Sequence, residues 1–337
     1  MSLLYGNFND FVQITQVFKI NRYSFTVAPN INTLKNKKIV VTGGAGFIGS
    51  SLANYLAQEN TVLAIDNLSS GDWSRCEDTF EKKNCDLSLV DEIELESTIS
   101  GYEYLFHLAA VKLHNVTNSD STIIQSNVVA SNKLFRVAGK AGIKRVIFTS
   151  SLYANGSMGP KHMTENDHES PTTMYGASKL FSESDLRISS RLYGFSYVIP
   201  RLFFIYGPKQ FASGGYRSVI VKNFEKFLNS EPMEVVGSGN QTLDYVYIDD
   251  CIQALALIAN LNYEGIVQVS NGEGIRVVDL INEMAKICGN SKFKSVEPDW
   301  TENTVRVGSR DFLQSLLGDL KKTSIEEGLR KTWESMK

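Results

Sequence analysis

The 337-residue chain is long enough to bury a large core, and its length allows two domains or one enlarged domain. Its composition, 42% hydrophobic and 21% charged, is that of a globular protein, and a net charge of −3 provides no basic field for nucleic-acid binding. No apolar run is long enough to span a membrane, and no secretory signal opens the sequence, so we expect a cytoplasmic protein. The four cysteines lack CxxC or metal-ligand spacing, so we expect reduced thiols and no metal.

Predicted strands and helices alternate along the chain from residue 37 onward. Residues 1–36 hold scattered aromatic side chains and no motif, and a short helix near residues 8–18 is expected to pack on the body. Apolar runs predict strands at 37–42, 61–66, 104–108, 145–149 and 195–199, and helical spacing of apolar residues predicts helices at 47–59, 121–141 and 175–192. This alternation is typical of the α/β class with a Rossmann-type, doubly wound parallel sheet.

Beyond residue 206 the alternation breaks into glycine-containing loops. We interpret this part as a smaller C-terminal domain that covers the carboxyl ends of the strands. A helix is expected to begin near Ser324, because Ser324 and Glu327 stand at capping-box spacing.

A glycine-rich segment, Gly43-Gly44-Ala45-Gly46-Phe47-Ile48-Gly49, follows the first strand and opens the first helix. In such a turn Gly43 permits the tight bend, Gly46 lets the backbone approach a pyrophosphate, and Gly49 allows the helix to pack closely on the strand. A helix N-terminus also attracts an anion through its free N–H groups and its dipole. The segment therefore predicts dinucleotide binding.

Asp66 ends the second strand, 23 residues after Gly43, where a carboxylate would accept hydrogen bonds from an adenosine ribose. The same charge would repel the 2′-phosphate of NADP, and Asn67 and Leu68 offer no arginine to bind one. NAD is therefore favoured. A purely structural glycine turn, the alternative, would need no such acid.

Tyr175 and Lys179 lie four residues apart on one predicted helix and so share a face. A free phenol is a poor base at neutral pH, but a neighbouring ammonium and a positive nicotinamide ring would both favour the phenolate. Thr149, Ser150 and Ser151 end the strand upstream, where strand ends meet the ligand crevice; Ser151 could hydrogen-bond the reacting oxygen, and Ser150 could equally be strand-end packing. Ser151, Tyr175 and Lys179 together predict the catalytic groups of a hydride-transfer site.

With the glycine turn, Asp66, Ser151, Tyr175 and Lys179 in this order, the chain resembles the extended short-chain dehydrogenases. It resembles in particular the NAD-dependent epimerase/dehydratases, such as UDP-glucose/galactose 4-epimerases, over about residues 37–336. Further segments that carry the resemblance are Asp86-Leu87, His107-Leu108-Ala109-Ala110, Asn127-Val128, Pro200-Arg201-Leu202-Phe203, Tyr206-Gly207-Pro208 and Gln241-Thr242-Leu243-Asp244-Tyr245-Val246.

The resemblance implies which residues surround NAD. They are Gly43, Gly46, Phe47, Ile48, Gly49, Asp66, Asn67, Leu68, Ser69, Ser70, Gly71, Asp86, Leu87, Leu108, Ala109, Ala110, Lys112, Asn127, Tyr175, Lys179 and Phe203. Phe47 and Ile48 would contact the pyrophosphate through their amides. Lys112 stands where 4-epimerases also carry a lysine, although a solvated rim charge is an even alternative. His107 is interpreted as a packed strand residue.

The expected organisation is an N-terminal extension at 1–36 and an NAD-binding domain at 37–205 that also takes a strand and helix near 244–270. Residues 206–243 and 271–337 would form the substrate-binding domain. The resemblance implies a nucleotide-diphosphate sugar as substrate. It also implies a homodimer that pairs the helix before Arg145 with the helix of Tyr175, and neither nucleic acid nor a membrane is expected as a partner.

The residues after Ser151 bear on the reaction. Related 4,6-dehydratases and decarboxylases are expected to carry an acid there, because elimination of water needs a further proton donor and base. This chain has Leu152 and Tyr153 instead. The sequence therefore predicts a 4-epimerase, in which Tyr175 as phenolate takes the C4 hydroxyl proton, Ser151 orients the oxygen and Lys179 keeps the tyrosine ionised while NAD accepts and returns the hydride.

Two positions depart from the family pattern. Phe204 stands where Asn is common and Leu243 where Arg is common, and both usual residues help to bind the substrate diphosphate. Arg217 or Arg306 would compensate, or the substrate is unusual; a surface role for either arginine is an even alternative. The predicted substrate residues are Ser151, Tyr175, Phe204, Arg217, Leu243 and Arg306.

Three alternative functions stay open. A 4-reductase or dehydrogenase of nucleotide sugars would consume stoichiometric cofactor, and a dehydratase with a different acid would release water. A non-catalytic NAD-binding protein would show no hydride change, but it would not need Ser151, Tyr175 and Lys179 together.

Overall fold

The computed structural model describes residues 33–112, 120–156, 159–210, 218–289, 293–299 and 301–337. The helix expected near residues 8–18 lies outside these residues, and so does Arg217. The β-branched runs form strands as expected, and the predicted α/β class with a parallel, Rossmann-type sheet and smaller C-terminal sheets is confirmed.

The elements are numbered in chain order. The strands are β1 (Lys38–Thr42), β2 (Thr61–Asp66), β3 (Glu81–Asn84), β4 (Tyr104–His107), β5 (Arg145–Phe148), β6 (Ser150–Ser151), β7 (Ser196–Leu202), β8 (Phe204–Tyr206), β9 (Met233–Val236), β10 (Thr242–Leu243), β11 (Tyr245–Tyr247), β12 (Ile266–Val269), β13 (Ile275–Arg276), β14 (Phe293–Val296) and β15 (Val305–Arg306). The α-helices are α1 (Phe47–Leu56), α2 (Glu92–Ile99), α3 (Asp120–Ile123), α4 (Ala130–Lys140), α5 (Leu152–Asn155), α6 (Met174–Tyr193), α7 (Val219–Leu228), α8 (Ile248–Ile258), α9 (Val277–Cys288), α10 (Asp311–Leu317) and α11 (Ile325–Glu334), with a 3₁₀ turn at Trp73–Arg75 and a π-helical segment at Ile124–Val129.

The central sheet has the order β12-β7-β5-β4-β1-β2-β3, with β6 beside β7, and its pairings are parallel. Successive side chains of β1 enter opposite cores. Ile39 and Val41 pack with residues of α1 and α8, whereas Val40 packs with residues of α2 and α4. Because helices cover both faces, β1 can be apolar throughout, and the carboxyl ends of the strands meet along one edge.

The long helix predicted at 121–141 is interrupted. It consists of α3, the π-helical segment and α4, and the π-helical segment contains the buried Asn127. A π-helical turn inside a helix is frequent at functional sites. It is defined by its backbone hydrogen bonds, so the spacing of apolar residues did not predict it.

Strand β3 and helix α2 are absent from the sequence prediction. The β3 sequence is Glu-Lys-Lys-Asn, and the strand pairs with β2 alone at the edge of the sheet, so it lacks the apolar run of a buried strand. Helix α2 buries only Leu95 and Ile99, which is too few for a clear helical pattern, and Asp91 caps it through the amides of Ile93 and Glu94.

The C-terminal part contributes the smaller sheets β13-β10-β15, β14-β9 and β11-β8. Arg306 of β15 donates a hydrogen bond to the hydroxyl of Tyr153 at 3.1 Å, and Tyr153 lies on α5, which directly follows β6. This contact places the three-stranded sheet at the carboxyl ends of the central strands. The predicted cap of α11 is confirmed, because the Ser324 hydroxyl accepts from the Glu327 amide at 3.2 Å.

The four cysteines are free thiols. Within the described ranges, no group of three or more His, Cys, Asp or Glu side chains has the arrangement of a metal site. No helix in this part of the chain combines the length and the apolarity needed to cross a bilayer.

Candidate active site

The glycine turn between β1 and α1 is packed so tightly that side chains are excluded from it. Gly43 has a φ of +70°, and a Cβ there would lie 2.7 Å from the Ala109 amide nitrogen. A Cβ on Gly49 would lie 2.0 Å from the Gly43 carbonyl oxygen. At Gly46, which precedes α1, no side chain caps the helix, so its first-turn amides lack a side-chain acceptor. Such amides fit the pyrophosphate of a dinucleotide.

The Asp66 carboxylate, at the end of β2, ties this turn to the loop that follows it. One oxygen accepts from the Ala45 amide at 3.0 Å and the other from the Leu68 amide at 2.8 Å. A Cβ on Gly71 would lie 2.8 Å from the same carboxylate. Because each carboxylate oxygen can accept more than one hydrogen bond, Asp66 can hold the turn and still accept from ribose hydroxyls.

Further residues that are predicted to surround NAD also gather at this edge. The Asn67 side chain donates to Asp86 at 2.9 Å and accepts from the Ser69 amide at 3.0 Å. Burial disfavours the charge of Asp86, but hydrogen bonds from Ser88 and Asn67 outweigh burial and lower its pKa. The structure thus links the loop after β2 to the loop after β3, where Leu87 is buried.

A third loop, residues 108–112, follows β4 and lies against the glycine turn. The Leu108 amide donates to the Thr42 carbonyl at 3.1 Å. The Asn127 side chain accepts from the Val111 amide at 2.7 Å and donates to the Val111 carbonyl at 2.9 Å. Asn127 therefore fixes this loop, while Lys112 next to it is exposed to solvent.

His107 is packed as predicted. Its ring is fully buried and hydrogen-bonds the hydroxyls of Thr42 at 2.7 Å and Ser131 at 2.9 Å. Burial, together with the charge of Lys179, lowers its pKa to about 3. The ring therefore stays neutral and joins β1, β4 and α4.

The structure brings the three predicted catalytic groups together. Thr173 caps α6 by accepting from the Gly176 amide at 3.0 Å, which starts the helix beside Tyr175. Lys179, one turn later, donates to the Thr149 carbonyl at 2.9 Å, and its Nζ lies 6.0 Å from the centroid of the Tyr175 ring. The Ser151 side chain hydrogen-bonds Tyr175.

The direction of the tyrosine pKa differs from the expectation. Burial raises the pKa of Tyr175, and the hydrogen bond from Ser151 offsets this only in part. Burial and the nearby charge of Lys112 lower the pKa of Lys179 to about 7. The sequence argument weighed the attraction of the phenolate to the ammonium and to a nicotinamide ring, whereas in the protein alone desolvation disfavours both charged forms and dominates.

The predicted substrate residues Phe204, Leu243 and Arg306 lie on β8, β10 and β15. Leu243 pairs with Arg306 in the parallel register of β10 and β15, so the two side chains are neighbours. The Arg306 guanidinium lies 5.8 Å from the ring of Tyr153 and 6.0 Å from the ring of Phe204. Arg306 thus lies beside the position where the family pattern has an arginine, and Phe204 contacts that cation as an aromatic surface.

Three residues of this site escape the sequence analysis as functional groups. The Tyr153 ring packs edge-on against Tyr175, with centroids 6.2 Å apart, although the sequence marks Tyr153 only as a missing acid. Glu183 and Arg201 form a fully buried ion pair behind Ser150. The sequence does contain one signal for Glu183: it follows Lys179 by one further helical turn, so it lies on the same helix face as Tyr175 and Lys179.

Comparisons with known proteins agree with this geometry. Residues 39–269 match the model of the "NAD dependent epimerase/dehydratase family". The chain is similar to the UDP-glucose 4-epimerase of Mycolicibacterium smegmatis, with 31% identity over 64% of this chain and 71% of that protein.

Two solved structures are similar along nearly their whole length. The UDP-N-acetylglucosamine 4-epimerase of Methanobrevibacter ruminantium M1, in complex with UDP-N-acetylmuramic acid, has 30% identity and a TM-score of 0.82, covering 90% of this chain and 99% of that one. The UDP-glucose 4-epimerase of Thermotoga maritima, with UDP-glucose, has 29% identity and a TM-score of 0.81, covering 89% and 98%.

Proposed function

The chain belongs to the NAD-dependent epimerase/dehydratase family, and from this membership we propose that it is an NAD-dependent nucleotide-sugar 4-epimerase. The observation that carries the proposal is the Ser151–Tyr175–Lys179 cluster at the carboxyl ends of the strands, followed by Leu152 and Tyr153 rather than a carboxylate. Oxidation and re-reduction at C4 need one acid–base group, whereas elimination of water needs more.

The residues around the glycine turn fit NAD. The first-turn amides of α1 would bind the pyrophosphate, and Asp66 would accept from the adenosine ribose and disfavour NADP. Bound NAD would supply the hydride acceptor and donor.

The chain's own groups handle the proton. The phenolate oxygen of Tyr175 would take the proton from the C4 hydroxyl and return it, and Ser151 would hold the reacting sugar oxygen through a hydrogen bond. Lys179, fixed by the Thr149 carbonyl, places a positive charge near the phenol. Because burial works against the phenolate, the hydrogen bond from Ser151 and the ammonium of Lys179 would together have to favour ionisation.

Arg306 is the residue that we assign to the substrate diphosphate. It is buried, lies on the strand next to Leu243, and is held in place by hydrogen bonds to Tyr153 at 3.1 Å and to Thr304 at 2.9 Å. A guanidinium binds phosphate oxygens in a fork geometry, so Arg306 would replace the arginine that the family has at position 243.

Arg306→Met is expected to raise KM for the nucleotide sugar about tenfold, since a charge-assisted hydrogen bond contributes about 1.5 kcal/mol or more. The effect on kcat should be smaller, and steady-state kinetics would separate the two. Arg276→Met is the matched control, because Arg276 lies on β13 of the same small sheet and its exposed guanidinium pairs with Asp279. Equal KM values for the two variants would contradict the assignment.

The direct test is incubation of the purified protein with UDP-, GDP-, dTDP- and CDP-hexoses in D₂O without added NADH, with products identified by NMR. An epimerase inverts C4 without taking up solvent deuterium there, because the hydride returns from the cofactor. A need for stoichiometric NADH would indicate a reductase, and loss of water would indicate a dehydratase. Cofactor binding without any product would indicate a non-catalytic protein.

A homodimer through α4 and α6 is part of the proposal. Phe181, Ile188 and Leu192 lie on one face of α6 at spacings of seven and four residues, and each side chain is more than half exposed. An exposed apolar row on a long helix supports burial against a second copy.

We also propose the division into an NAD-binding domain (37–205 and 244–270) and a substrate-binding domain (206–243 and 271–337).

A further inference from the structure

A buried polar network lies directly behind the catalytic serine. Glu183 and Arg201 are both fully buried, and the guanidinium of Arg201 donates to Glu183 at 2.9 Å through Nε and at 2.7 Å through its second nitrogen. The hydroxyl of Ser150 donates to the same carboxylate at 2.5 Å. Arg201 also donates to the Asn155 side chain. The network therefore contacts residues on both sides of Ser151.

The network joins separate elements of the site. Glu183 lies on α6 with Tyr175 and Lys179, whereas Arg201 lies on β7. Ser150 and Ser151 pair with Arg201 and Leu202 in the register of β6 and β7. A carboxylate that accepts from both β6 and β7 fixes the distance between the tyrosine helix and the serine strand.

We propose that Glu183, held by Arg201, is a positioning residue that keeps Ser151 in hydrogen-bonding contact with Tyr175. This inference rests on the proposed function for its kinetic consequence but not for its geometry. Removing one partner of a buried ion pair leaves a costly unpaired charge. Replacing the whole pair by apolar side chains is often neutral or stabilising, so stability alone does not require the pair. The direct bond from Ser150 to Glu183 gives the pair a specific role beside the catalytic serine.

Glu183 also contributes to the electrostatics of the site. Burial and Lys112 lower the pKa of Lys179, and Glu183 acts in the opposite direction. The charged or titratable groups around Lys179, within the residues that the structure describes, are Tyr175 and Glu183 on its own helix, Lys112 and His107 from the β4 side, and Arg201 behind Glu183. Removing the Glu183 charge leaves Arg201 positive, and both changes would lower the pKa of Lys179.

The test compares Glu183→Gln with Glu169→Gln. Glu169 pairs with Arg201 at 3.1 Å and is 30% exposed at its side chain, whereas the hydroxyl of Ser150 bonds to Glu183. Glu183→Gln is expected to lower kcat about tenfold with KM changed by less than about twofold, because it displaces a reacting group rather than a binding group. The alkaline limb of the kcat–pH profile should move to lower pH by about one unit, since Lys179 would lose its proton earlier. Glu169→Gln should leave both unchanged.

Further variants keep the test decisive. Glu183→Asp should recover part of kcat by restoring the charge. If Glu183→Gln does not fold, Ser150→Ala removes the bond to the carboxylate while the ion pair stays, and a several-fold fall in kcat is expected. Crystal structures of the variants would test the geometry independently of activity. The distance from Ser151 Oγ to the Tyr175 hydroxyl should exceed hydrogen-bonding range in Glu183→Gln and stay within it in Glu169→Gln.

Two results would overturn the inference: an unchanged Ser151–Tyr175 distance in folded Glu183→Gln, or equal kinetic losses in the two variants. An inactive wild-type protein would instead contradict the proposed function, and the crystallographic comparison would still decide the role of Glu183.

Discussion

Tyr175→Phe is expected to lower kcat for sugar epimerisation by about 10²- to 10⁴-fold, the range that a positioned acid–base group contributes. The phenylalanine ring keeps the edge-on contact with Tyr153 and the position over Lys179, so only the hydroxyl and its bond to Ser151 are lost. KM for the nucleotide sugar should change by less than about threefold, because the hydroxyl acts mainly in the transition state. Steady-state kinetics with NMR-assigned products would measure both.

The matched control is Tyr193→Phe at the other end of the same helix. Tyr193 packs against Gly139 and is partly exposed. Its variant should retain wild-type kcat. Bound NAD, released by denaturation and measured by chromatography, should be equal in both variants and the wild type. Full activity in Tyr175→Phe would remove the central assignment of the mechanism.

The central sheet could be predicted because its signals are local. Continuous apolar runs such as Ile39–Val41 mark strands that are buried on both faces, and the glycine turn sits where the first strand must reverse into α1. The spacing of Tyr175 and Lys179 similarly requires one face of a helix. These features depend on neighbours within a few residues, so the chain itself encodes them.

Other features depend on contacts between distant segments. Arg306 reaches Tyr153 across 153 positions, and its place beside Leu243 follows only from the pairing of β10 with β15. The sequence analysis named Arg306 as a candidate substrate residue, but it could not show which residues lie next to Arg306 in the fold. Edge strand β3 has one neighbour and a charged sequence, so no pattern marks it.

The tyrosine pKa shows a further limit of pattern reasoning. The sequence shows which charges lie near Tyr175, but not how completely the protein removes water from the phenol. Burial raises the pKa of Tyr175 and lowers that of Lys179, so it disfavours the charged form of both groups. The balance is set by the fold around them, including the Glu183–Arg201 pair.

Gly49→Ala is expected to have the second-largest effect, a loss of NAD affinity of about 100-fold and a free energy of unfolding lower by about 3 kcal/mol, the upper part of the range for overpacking. The added Cβ would lie 2.0 Å from the Gly43 carbonyl oxygen and 2.8 Å from its carbonyl carbon. Both are backbone atoms, so no side chain can rotate to make room. The turn itself must open, which displaces the first-turn amides of α1.

Gly46→Ala separates cofactor contact from packing. A Cβ at Gly46 would meet only the Gly43 carbonyl oxygen, at 3.1 Å, so the fold should tolerate it with a small change in thermal midpoint. A methyl group at the position where a pyrophosphate would approach the backbone should nevertheless weaken NAD binding. Calorimetric titration with NAD and thermal unfolding would measure the two effects independently. If Gly46→Ala bound NAD as tightly as the wild type, or if Gly49→Ala were as stable as Gly46→Ala, the two glycines would not have the distinct roles that the turn assigns to them.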